Sequence, residues 1–333
     1  MVPPPVGEAP PVKRRRVRAV LGTGDRIFRH GHRLSAVLVV AVIGAVGLFL
    51  GVKAYPALIV AKLHFFTTQA WEPDAHRFGV GGILPDTIFI ALVALAVSIP
   101  ISLGLALFIS EIAPRRIQRI LISLVDLMAA VPSVVYALWG FNYLQGHTIG
   151  VSRFLSTWFG WIPIFKVAGP SSASILGSAN AYTASTFIVG LTVSLMVIPI
   201  QCSVMREAFS QAPLGEREGA YALGGNRWGM IRTVVLPFGR GGVIGGTMLG
   251  MGRALGETIA VYLIISPVYT VNSHILETGG NSISALIATL FSDSSKFGTS
   301  ALMAAGLTLF ALSLVINFGA SAIVSRSRSG AES

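Results

Sequence analysis

Six apolar segments divide the chain and predict six membrane-spanning helices. They cover residues 34–54, 83–110, 120–144, 183–205, 241–266 and 300–324. Each is long enough to cross about 30 Å of hydrocarbon at the rise of an α-helix. Residues 145–182 are only mildly apolar, so we expect a short interfacial or re-entrant helix within them, around residues 154–165. The pattern therefore predicts an all-α membrane protein.

The polar segments divide the chain into four parts. Residues 1–33 form a Pro-rich and then basic tail, 34–82 the first helix with its connection, 83–324 the helical core, and 325–333 a second tail. The core is interrupted by a long polar connection at 206–240. The basic run of the first tail favours an anchor to anionic lipid over a docking peptide. The apolar run after it is too long for a cleaved signal peptide, so we expect the tail to be retained.

Composition and charge agree with this interpretation. The chain has 53% hydrophobic and only 12% charged residues, with a mean hydropathy of +0.72, which excludes a soluble protein with one core. The net charge of +11 does not indicate nucleic acid binding, because most basic residues flank the apolar segments. Of the 25 Lys and Arg residues, 18 fall on the side that holds both termini and residues 206–240. The positive-inside rule therefore predicts that both termini are cytoplasmic.

Few residues have the chemistry of a catalytic or metal site. The single cysteine, Cys202, permits no intrachain disulfide and is expected to be a small buried side chain. His30 and His32 lie in the basic tail and are expected to be solvated. The sequence contains no Gly-x4-Gly-Lys-Ser/Thr phosphate loop and no nucleophile elbow. We therefore expect that this chain binds no cofactor and is not an enzyme.

The fifth apolar segment combines a glycine stripe with two charges. At about 100° per residue, Gly242, Gly246 and Gly250 fall on one face, and Arg253 and Glu257 continue that face. Glycines four residues apart let another helix approach closely. This face is therefore expected to meet a partner helix or to border a translocation pathway.

Arg253 is the strongest candidate for a functional side chain. An arginine within a membrane span costs at least about 2.5 kcal/mol unless it is paired or reaches water. Glu257, one helical turn later, is the expected partner. Two interpretations stay open: Arg253 offers its planar donors to a passing oxyanion, or the two residues form a permanent ion pair that holds helices together.

The third apolar segment contributes weaker candidates. Ser133 and Tyr136 are hydroxyl donors that would line a pathway, although such groups in membrane helices usually bond their own backbone. Asp126 lies close to them and is equally compatible with an interfacial cap. Four prolines lie inside or at the edge of predicted spans: Pro85, Pro100, Pro132 and Pro199. Two interpretations stay open: each kinks its helix so that the helices splay around a cavity, or each is part of ordinary packing between membrane helices.

The polar connection contains a spaced motif. Glu218, Ala220 and Gly224 are followed by Leu236 and Pro237, with the spacing Glu-x-Ala-x3-Gly-x9-(Ile/Val)-x-Leu-Pro. This motif resembles the cytoplasmic signature loop of bacterial ABC importer permeases, which docks on the ATP-hydrolysing subunit. The departures are Gly219 for the usual Ala and Val234 for Ile. The resemblance implies that these residues couple the chain to a separate ATPase.

Two further segments narrow the resemblance to the PstC-type permeases of bacterial phosphate importers. They are Val-Pro-Ser-Val-Val-Tyr-Ala-Leu-Trp-Gly at residues 131–140 and Arg-Ala-Leu-Gly-Glu-Thr-Ile-Ala-Val at residues 253–261. The sister permease type, PstA, usually has Arg-Ala-Ile-Gly-Glu-Thr-Ala-Pro in the second segment. Ala137 in place of Gly is a minor departure. The resemblance covers residues 83–324.

The resemblance implies a six-helix type I ABC importer permease with a cytoplasmic coupling helix in the bacterial plasma membrane. Its implied partners are a PstA-like second permease, two copies of a PstB-like ATPase that bind ATP and Mg²⁺, a PstS-like phosphate-binding protein and membrane lipid. The implied mechanism is alternating access driven by the ATPase. Two alternatives stay open: a permease for another oxyanion such as sulfate or molybdate, and an ion-coupled secondary transporter.

Overall fold

The computed structural model describes residues 23–167 and 180–328. The chain divides into two units, residues 1–48 and 49–333. In the first unit the described residues are helical from Thr23, and nearly all their described side chains are exposed. Residues 23–33 were expected to belong to a polar tail, so the helix begins earlier than predicted. The remainder of that predicted tail and the last five residues of the chain lie outside the described residues.

Twelve α-helices are described, and we number them in chain order. They are α1 (Thr23–Ala61), α2 (Ile83–Leu107), α3 (Arg115–Ala130), α4 (Ser133–Trp139), α5 (Gln145–Phe159), α6 (Thr186–Ser210), α7 (Leu214–Ala222), α8 (Arg227–Met230), α9 (Leu236–Leu255), α10 (Ile259–Ile264), α11 (Ile283–Leu290) and α12 (Lys296–Arg328). Wide π-type turns follow three of them, at Phe108–Ile112, Gly140–Leu144 and Ile231–Val235. Shorter 3-10 turns occur at Lys62–Phe66, Pro73–Ala75 and Pro163–Phe165.

The predicted number of membrane spans is confirmed. Five helical segments are long and apolar enough to cross a membrane: Ile27–Phe66, Ile83–Ile112, Thr186–Ser210, Arg227–Leu255 and Lys296–Gly319. The sixth is a broken pair, Arg115–Ala130 with Ser133–Phe159, bent by 89°. Within the described residues the fold is thus helical throughout the spans, with a two-stranded antiparallel sheet, β1 (Trp71–Glu72) and β2 (Arg77–Phe78), in the connection after α1.

The third span differs from the single helix that the sequence predicted over residues 120–144. The helix breaks at Val131, which is extended. The cause is Pro132, because proline lacks an N–H donor and forces the preceding residue out of the helical region. The Tyr136 hydroxyl donates a hydrogen bond of 2.9 Å to the Met128 carbonyl across the bend. The helical continuation runs to Phe159, which replaces the short helix expected around residues 154–165. Pro100 and Pro199, in contrast, lie inside the continuous helices α2 and α6.

The fifth span also differs from its prediction. It was expected over residues 241–266 as one helix, but α9 ends at Leu255 and the short helix α10 begins at Ile259. Gly256 is a poor helix former, and side chains replace the lost helical hydrogen bonds. The Glu257 Oε1 atom accepts from the Ala260 N–H at 3.2 Å, and the Glu257 carbonyl accepts from the Ser284 hydroxyl at 2.7 Å. The break therefore lies in the middle of the predicted span.

The core is centred on α6, which packs against both α2 and α9. The Ser102 hydroxyl of α2 lies 3.1 Å from both the Ile198 carbonyl and the Gln201 Oε1 atom of α6. All three groups are buried, so the two helices are joined by polar contacts that water cannot replace. Cys202 is fully buried within a cluster formed by α2, α3, α6 and the turn Ile231–Val235, as predicted.

The glycine stripe of α9 contacts α6 directly. A methyl group added at Gly246 would lie 3.2 Å from the Gln201 carbonyl, and one added at Gly250 would lie 2.6 Å from Val197 Cγ1. Gly242 faces Ala208 in the same way. The three glycines therefore let the backbones of α6 and α9 approach closely, as their spacing predicted.

We expect Gly250→Ala to destabilise the protein relative to Gly252→Ala. Both changes improve helix propensity equally, but the added methyl group at Gly250 meets Gln201 and Val197, whereas nothing lies within 4 Å of the one at Gly252. Overpacking of this kind costs about 1–3 kcal/mol. Equilibrium unfolding in detergent micelles measures the difference. Equal free energies of unfolding for the two variants would contradict the close contact.

Candidate functional site

An open cavity of about 650 Å³ lies along α9. Its lining residues come from three helices: Ile200 of α6, Gly245, Met248, Leu249, Gly252 and Arg253 of α9, and Asn317 of α12. The lining is apolar apart from Arg253 and Asn317. Neither Ile200 nor Asn317 was singled out from the sequence, since only the packing of three helices brings them to Arg253. The cavity therefore presents one cation and one amide to whatever enters it.

The Arg253 side chain is partly buried and has no acidic partner among the described residues. Its Nε atom is buried and makes no hydrogen bond within that part of the chain. The predicted Arg253–Glu257 ion pair is therefore absent. Glu257 is only 7% exposed, and its carboxylate instead binds the backbone at the start of α10. The interpretation of a permanent ion pair loses its support.

Arg253 lies on α9 close to the glycine stripe and also lines the cavity. Gly242, Gly246 and Gly250 contact α6, and at about 100° per residue Arg253 falls between Gly242 and Gly246 around the helix. Its side chain shares the cavity wall with Gly245 and Gly252. The predicted stripe does not continue to Glu257 as one helical face, because α9 ends at Leu255.

The other candidate residues of the third span differ in their contacts and in their distance from Arg253. Tyr136 lies within electrostatic range of the Arg253 guanidinium, but its hydroxyl hydrogen is used by the Met128 carbonyl. Ser133 is half-buried and begins α4 directly after the bend. Asp126 is exposed and accepts a 3.4 Å hydrogen bond from Ser203 of α6. The pathway roles of Ser133, Tyr136, Arg253 and Glu257 stay predictions.

The polar connection forms a short helix, α7, with a well-defined end. Gly224 has a φ of +84°, and its N–H donates to the Tyr221 carbonyl at 2.9 Å. The Gly225 N–H donates to the Ala220 carbonyl at 3.0 Å. This is the Schellman arrangement, in which a glycine in the left-handed region ends the helix. The motif glycine is therefore required by backbone conformation, a reason that the spacing alone did not give.

The remaining motif residues lie around this helix. Glu218 is exposed and Ala220 is half-buried. Leu236 is half-buried at the start of α9, and Pro237 is exposed in its first turn, where a missing N–H costs nothing. The Asn226 side chain caps α8 by accepting from the Gly229 N–H at 2.8 Å. The motif thus specifies a helix, its end and the start of the next span.

Large apolar side chains of this region are exposed. Leu223 is 92% exposed and Leu214 is 70% exposed, and Trp228 and Tyr221 are exposed beside them. Next to them lies an open cavity of about 550 Å³, lined by Glu216, Gly219, Ala220, Leu223, Gly225, Gly229, Met230, Thr233 and Val234. Exposed apolar side chains grouped at a groove are typical of a protein interaction site.

Sequence reasoning missed one ion pair at this site. Arg217 of α7 binds Glu111 with an Nη1–Oε2 distance of 3.0 Å. Their side chains are 18% and 3% exposed. The two residues are separated by 106 positions, so no spacing rule could have joined them; an acidic residue at the end of a span was the only signal.

Comparisons with known proteins agree with this architecture. Residues 98–329 match the family model described as "Binding-protein-dependent transport system inner membrane component". The chain belongs to this family. Members are transport components, so the prediction of a transport subunit rather than an enzyme is confirmed, and membership disfavours the ion-coupled secondary transporter. The permease is a multi-pass membrane protein.

Curated relatives narrow the family further. The permease is 36% identical over 304 residues to "Phosphate transport system permease protein PstC 2" of Mycobacterium tuberculosis. This alignment covers 90% of this chain and 91% of the relative. It is 33% identical to "Phosphate transport system permease protein PstC" of Pasteurella multocida, over 88% of this chain and 89% of the relative. The resemblance to the PstC-type permeases is therefore confirmed.

Solved structures confirm the fold. The permease aligns with a chain of a bacterial ABC transporter involved in the import of the acidic polysaccharide alginate, with a TM-score of 0.55 and 19% identity. The alignment covers 90% of this permease and 99% of that chain. A chain of a bacterial alginate ABC transporter in complex with an alginate pentasaccharide-bound periplasmic protein gives a TM-score of 0.56 at 19% identity, over 90% of this permease and 96% of that chain. The chain thus has the fold of an ABC importer permease.

We expect Gly224→Ala to loosen the end of α7. Alanine at a φ of +84° costs about 1–2 kcal/mol, so amide hydrogen exchange within α7 should become about five- to thirtyfold faster. Gly219→Ala is the matched control, because Gly219 lies inside the same helix with nothing within 4 Å of an added methyl group. It should slow exchange. Equal exchange in both variants would show that the left-handed residue does not limit the stability of α7.

Proposed function

We propose that this permease is a subunit of an ATP-driven importer of inorganic phosphate and forms half of its translocation pathway. The observation that carries the proposal is the Arg253 guanidinium, which lines an open cavity without an acidic partner in the described residues. Relatives at 33–36% identity are named phosphate transport system permease proteins. Together these support an anion as the transported species.

The chemistry of arginine suits a tetrahedral oxyanion. Its planar fork of donors binds two oxygens at once, and its charge persists at any physiological pH. An unpaired arginine at membrane depth is tolerable where water reaches it, which the open cavity allows. A permanently paired Arg253 would offer less charge to an anion, so the absence of the Glu257 ion pair favours transient binding during passage.

The other predicted pathway residues support Arg253 in this proposal. Tyr136 lies within electrostatic range of its charge, and the Tyr136 oxygen remains open to a second donor. Glu257 fixes the start of α10 directly after the helix that carries Arg253. Ser133 lies at the start of the helix that carries Tyr136. We assign Glu257 a positioning role and Ser133 a place on the pathway wall.

The proposed assembly includes three kinds of partner. A PstA-like second permease would complete the open side of the Arg253 cavity. Two copies of a PstB-like ATPase would bind ATP and Mg²⁺ and dock on α7, and a PstS-like receptor would deliver phosphate. This permease would then bind no cofactor itself. The exposed apolar side chains of α7 and the binding-protein-dependent family support this arrangement.

The proposed orientation places both termini and α7 in the cytoplasm of a bacterium, across the plasma membrane. It rests on the excess of Lys and Arg on that side. ATP-driven closure of the ATPase would then push on α7 and switch the helices between inward and outward access. The switch requires that the ATPase contacts α7 differently in its two nucleotide states.

We expect Arg253→Gln to reduce phosphate uptake by at least about a hundredfold, because the variant removes a charge-assisted bidentate contact worth about 3 kcal/mol or more. Uptake of ³²P-phosphate by proteoliposomes that contain the whole complex measures it. Arg240→Gln is the matched control, since Arg240 is an exposed arginine of the same helix. Membrane levels and co-purification of the partners should be unchanged in both variants.

Two results would count against the proposal. Normal uptake by Arg253→Gln would remove Arg253 from the pathway. Stimulation of ATP hydrolysis by a sulfate-loaded or molybdate-loaded receptor, and not by a phosphate-loaded one, would assign the permease to another oxyanion.

We expect Leu223→Glu to weaken the attachment of the ATPase. Leu223 is 92% exposed at the end of α7, so a charge there leaves the fold intact but must be desolvated when an apolar partner docks. Trp161→Glu is the control, because Trp161 is also highly exposed but lies after α5, in the connection that the proposed orientation places on the opposite side of the membrane. Co-purification of the ATPase should fall only for Leu223→Glu. Equal recovery with both variants would place the docking surface elsewhere.

A further inference from the structure

We infer that Arg217 transmits movement of α7 to the ends of two membrane helices, α2 and α6, with Glu111 as its counterpart. Arg217 acts through other groups and is a positioning residue. The inference deepens the proposed function and rests on the docking of an ATPase on α7.

One guanidinium joins three elements. The Nη1 atom of Arg217 donates to Glu111 Oε2 at 3.0 Å, and its Nη2 atom donates to the Phe209 carbonyl at 2.6 Å. Glu111 lies in the wide turn Phe108–Ile112 that ends the span of α2, and Phe209 lies in the last turn of α6. A cation at a helix C-terminus also interacts favourably with the helix dipole. Arg217 therefore holds the ends of α2 and α6 at fixed distances from α7.

The burial of this pair distinguishes it from a surface ion pair. The side chains of Arg217 and Glu111 are 18% and 3% exposed. The pair Arg77–Glu72, in contrast, is separated by 3.8 Å with side chains that are 73% and 59% exposed. A buried charge is costly unless its partner stays in place, whereas an exposed pair can separate into water. Arg217 and Glu111 must consequently move together when α7 moves.

Apolar packing does not replace this attachment. None of the residues of α7 is fully buried, although Ala220 packs partly against the cluster formed by α2, α6 and the turn Ile231–Val235. The other large apolar side chains of α7, Leu214 and Tyr221, are exposed. The polar attachment on one side leaves the apolar side available to a docking partner. A force applied to that side reaches α2 through the Arg217–Glu111 pair, and it reaches α6 both through the Arg217–Phe209 hydrogen bond and along the chain at residues 211–213.

The path continues from α2 and α6 to the Arg253 cavity. The Ser102 hydroxyl of α2 donates its single proton to one of two acceptors on α6, the Ile198 carbonyl or the Gln201 Oε1 atom, and α6 contacts the glycine stripe of α9. Packed helices of this kind transmit displacements because their contacts leave no room to absorb them. Movement at Arg217 is thereby coupled to the helix that carries Arg253.

The geometry requires arginine rather than any cation. The two acceptors, Glu111 and the Phe209 carbonyl, are bound by different Nη atoms of one rigid group. A lysine ammonium is a compact point charge without this fixed fork. Arg217→Lys therefore keeps the buried charge compensated but loses the simultaneous hold on both helices.

The test uses the complete complex, purified with its partner subunits and reconstituted with the phosphate receptor. The first variant, Arg217→Met/Glu111→Leu, removes both charges, because an apolar replacement of a buried pair is commonly neutral for stability. We expect normal assembly and continued ATP hydrolysis, but about tenfold fewer phosphate ions imported per ATP, within the usual range of coupling between sites. Arg217→Lys should give an intermediate ratio. The control Arg77→Met/Glu72→Leu should keep the wild-type ratio.

A pair with only a structural role predicts another result. The doubly apolar variant would then recover both stability and the wild-type ratio of phosphate to ATP, and that recovery would overturn the inference. If the double variant fails to assemble, Arg217→Lys decides, since it keeps the charge: a wild-type ratio in this variant would overturn the inference and a lowered ratio would support it.

A second measurement separates this inference from the proposed cargo. A cysteine introduced at Gly252, an exposed cavity position with room for a side chain, is labelled with a thiol reagent with and without ATP and vanadate. The chain without this cysteine gives the background, because Cys202 is buried.

The nucleotide-dependent change in labelling should be largely lost in Arg217→Met/Glu111→Leu, and its retention would overturn the inference. In the complex that carries this cysteine but keeps Arg217 and Glu111, an ATP-dependent change in labelling without phosphate import would refute only phosphate as the cargo. If labelling in that complex does not change with ATP, both the coupling to an ATPase and this inference are refuted.

Discussion

The close contact between α6 and α9 is the constraint on which the rest of the core depends. Glycine at positions 242, 246 and 250 removes the side chains that would separate the two backbones. In a membrane, helices associate by packing rather than by escape from water, so small residues at the contact have a large effect. The same contact sets the rotation of α9 and thereby directs Arg253 to the open side, toward Ile200 and Asn317.

Two interrupted spans meet in this core. The short helices α4 and α10, which follow the breaks at Pro132 and Gly256, pack against each other through a cluster that includes Ala137, Ala260 and Ile264. Backbone groups that a break frees at membrane depth need other hydrogen-bond partners. At the first break the Tyr136 hydroxyl donates to the Met128 carbonyl, and at the second the Glu257 carboxylate accepts from the Ala260 N–H. Candidate pathway residues therefore lie where the backbone is irregular.

The coupling helix α7 has two chemically different sides. Its attachment to the membrane helices is ionic and buried through Arg217, whereas its free side exposes apolar groups such as Leu223. This division allows a partner to bind and release the free side while the attachment persists. The left-handed Gly224 fixes where the helix ends and hence where the apolar group lies.

The sequence by itself determined the helical membrane fold, the number of spans, the glycine contact and the position of the coupling motif. These features depend on hydrophobic period and local spacing, which are readable along one chain. Only the tertiary structure decided the breaks at Val131 and Gly256, the separation of Arg253 from Glu257, and the pairing of Arg217 with Glu111. Pro132 was readable along the chain, but Pro100 and Pro199 lie inside continuous helices, so only the structure shows which proline ends a helix. Arg217 and Glu111 are 106 positions apart. At the break in the fifth span Ser284 binds the Glu257 carbonyl, and hydrogen bonds of this kind compete with the helical period that favoured one straight helix.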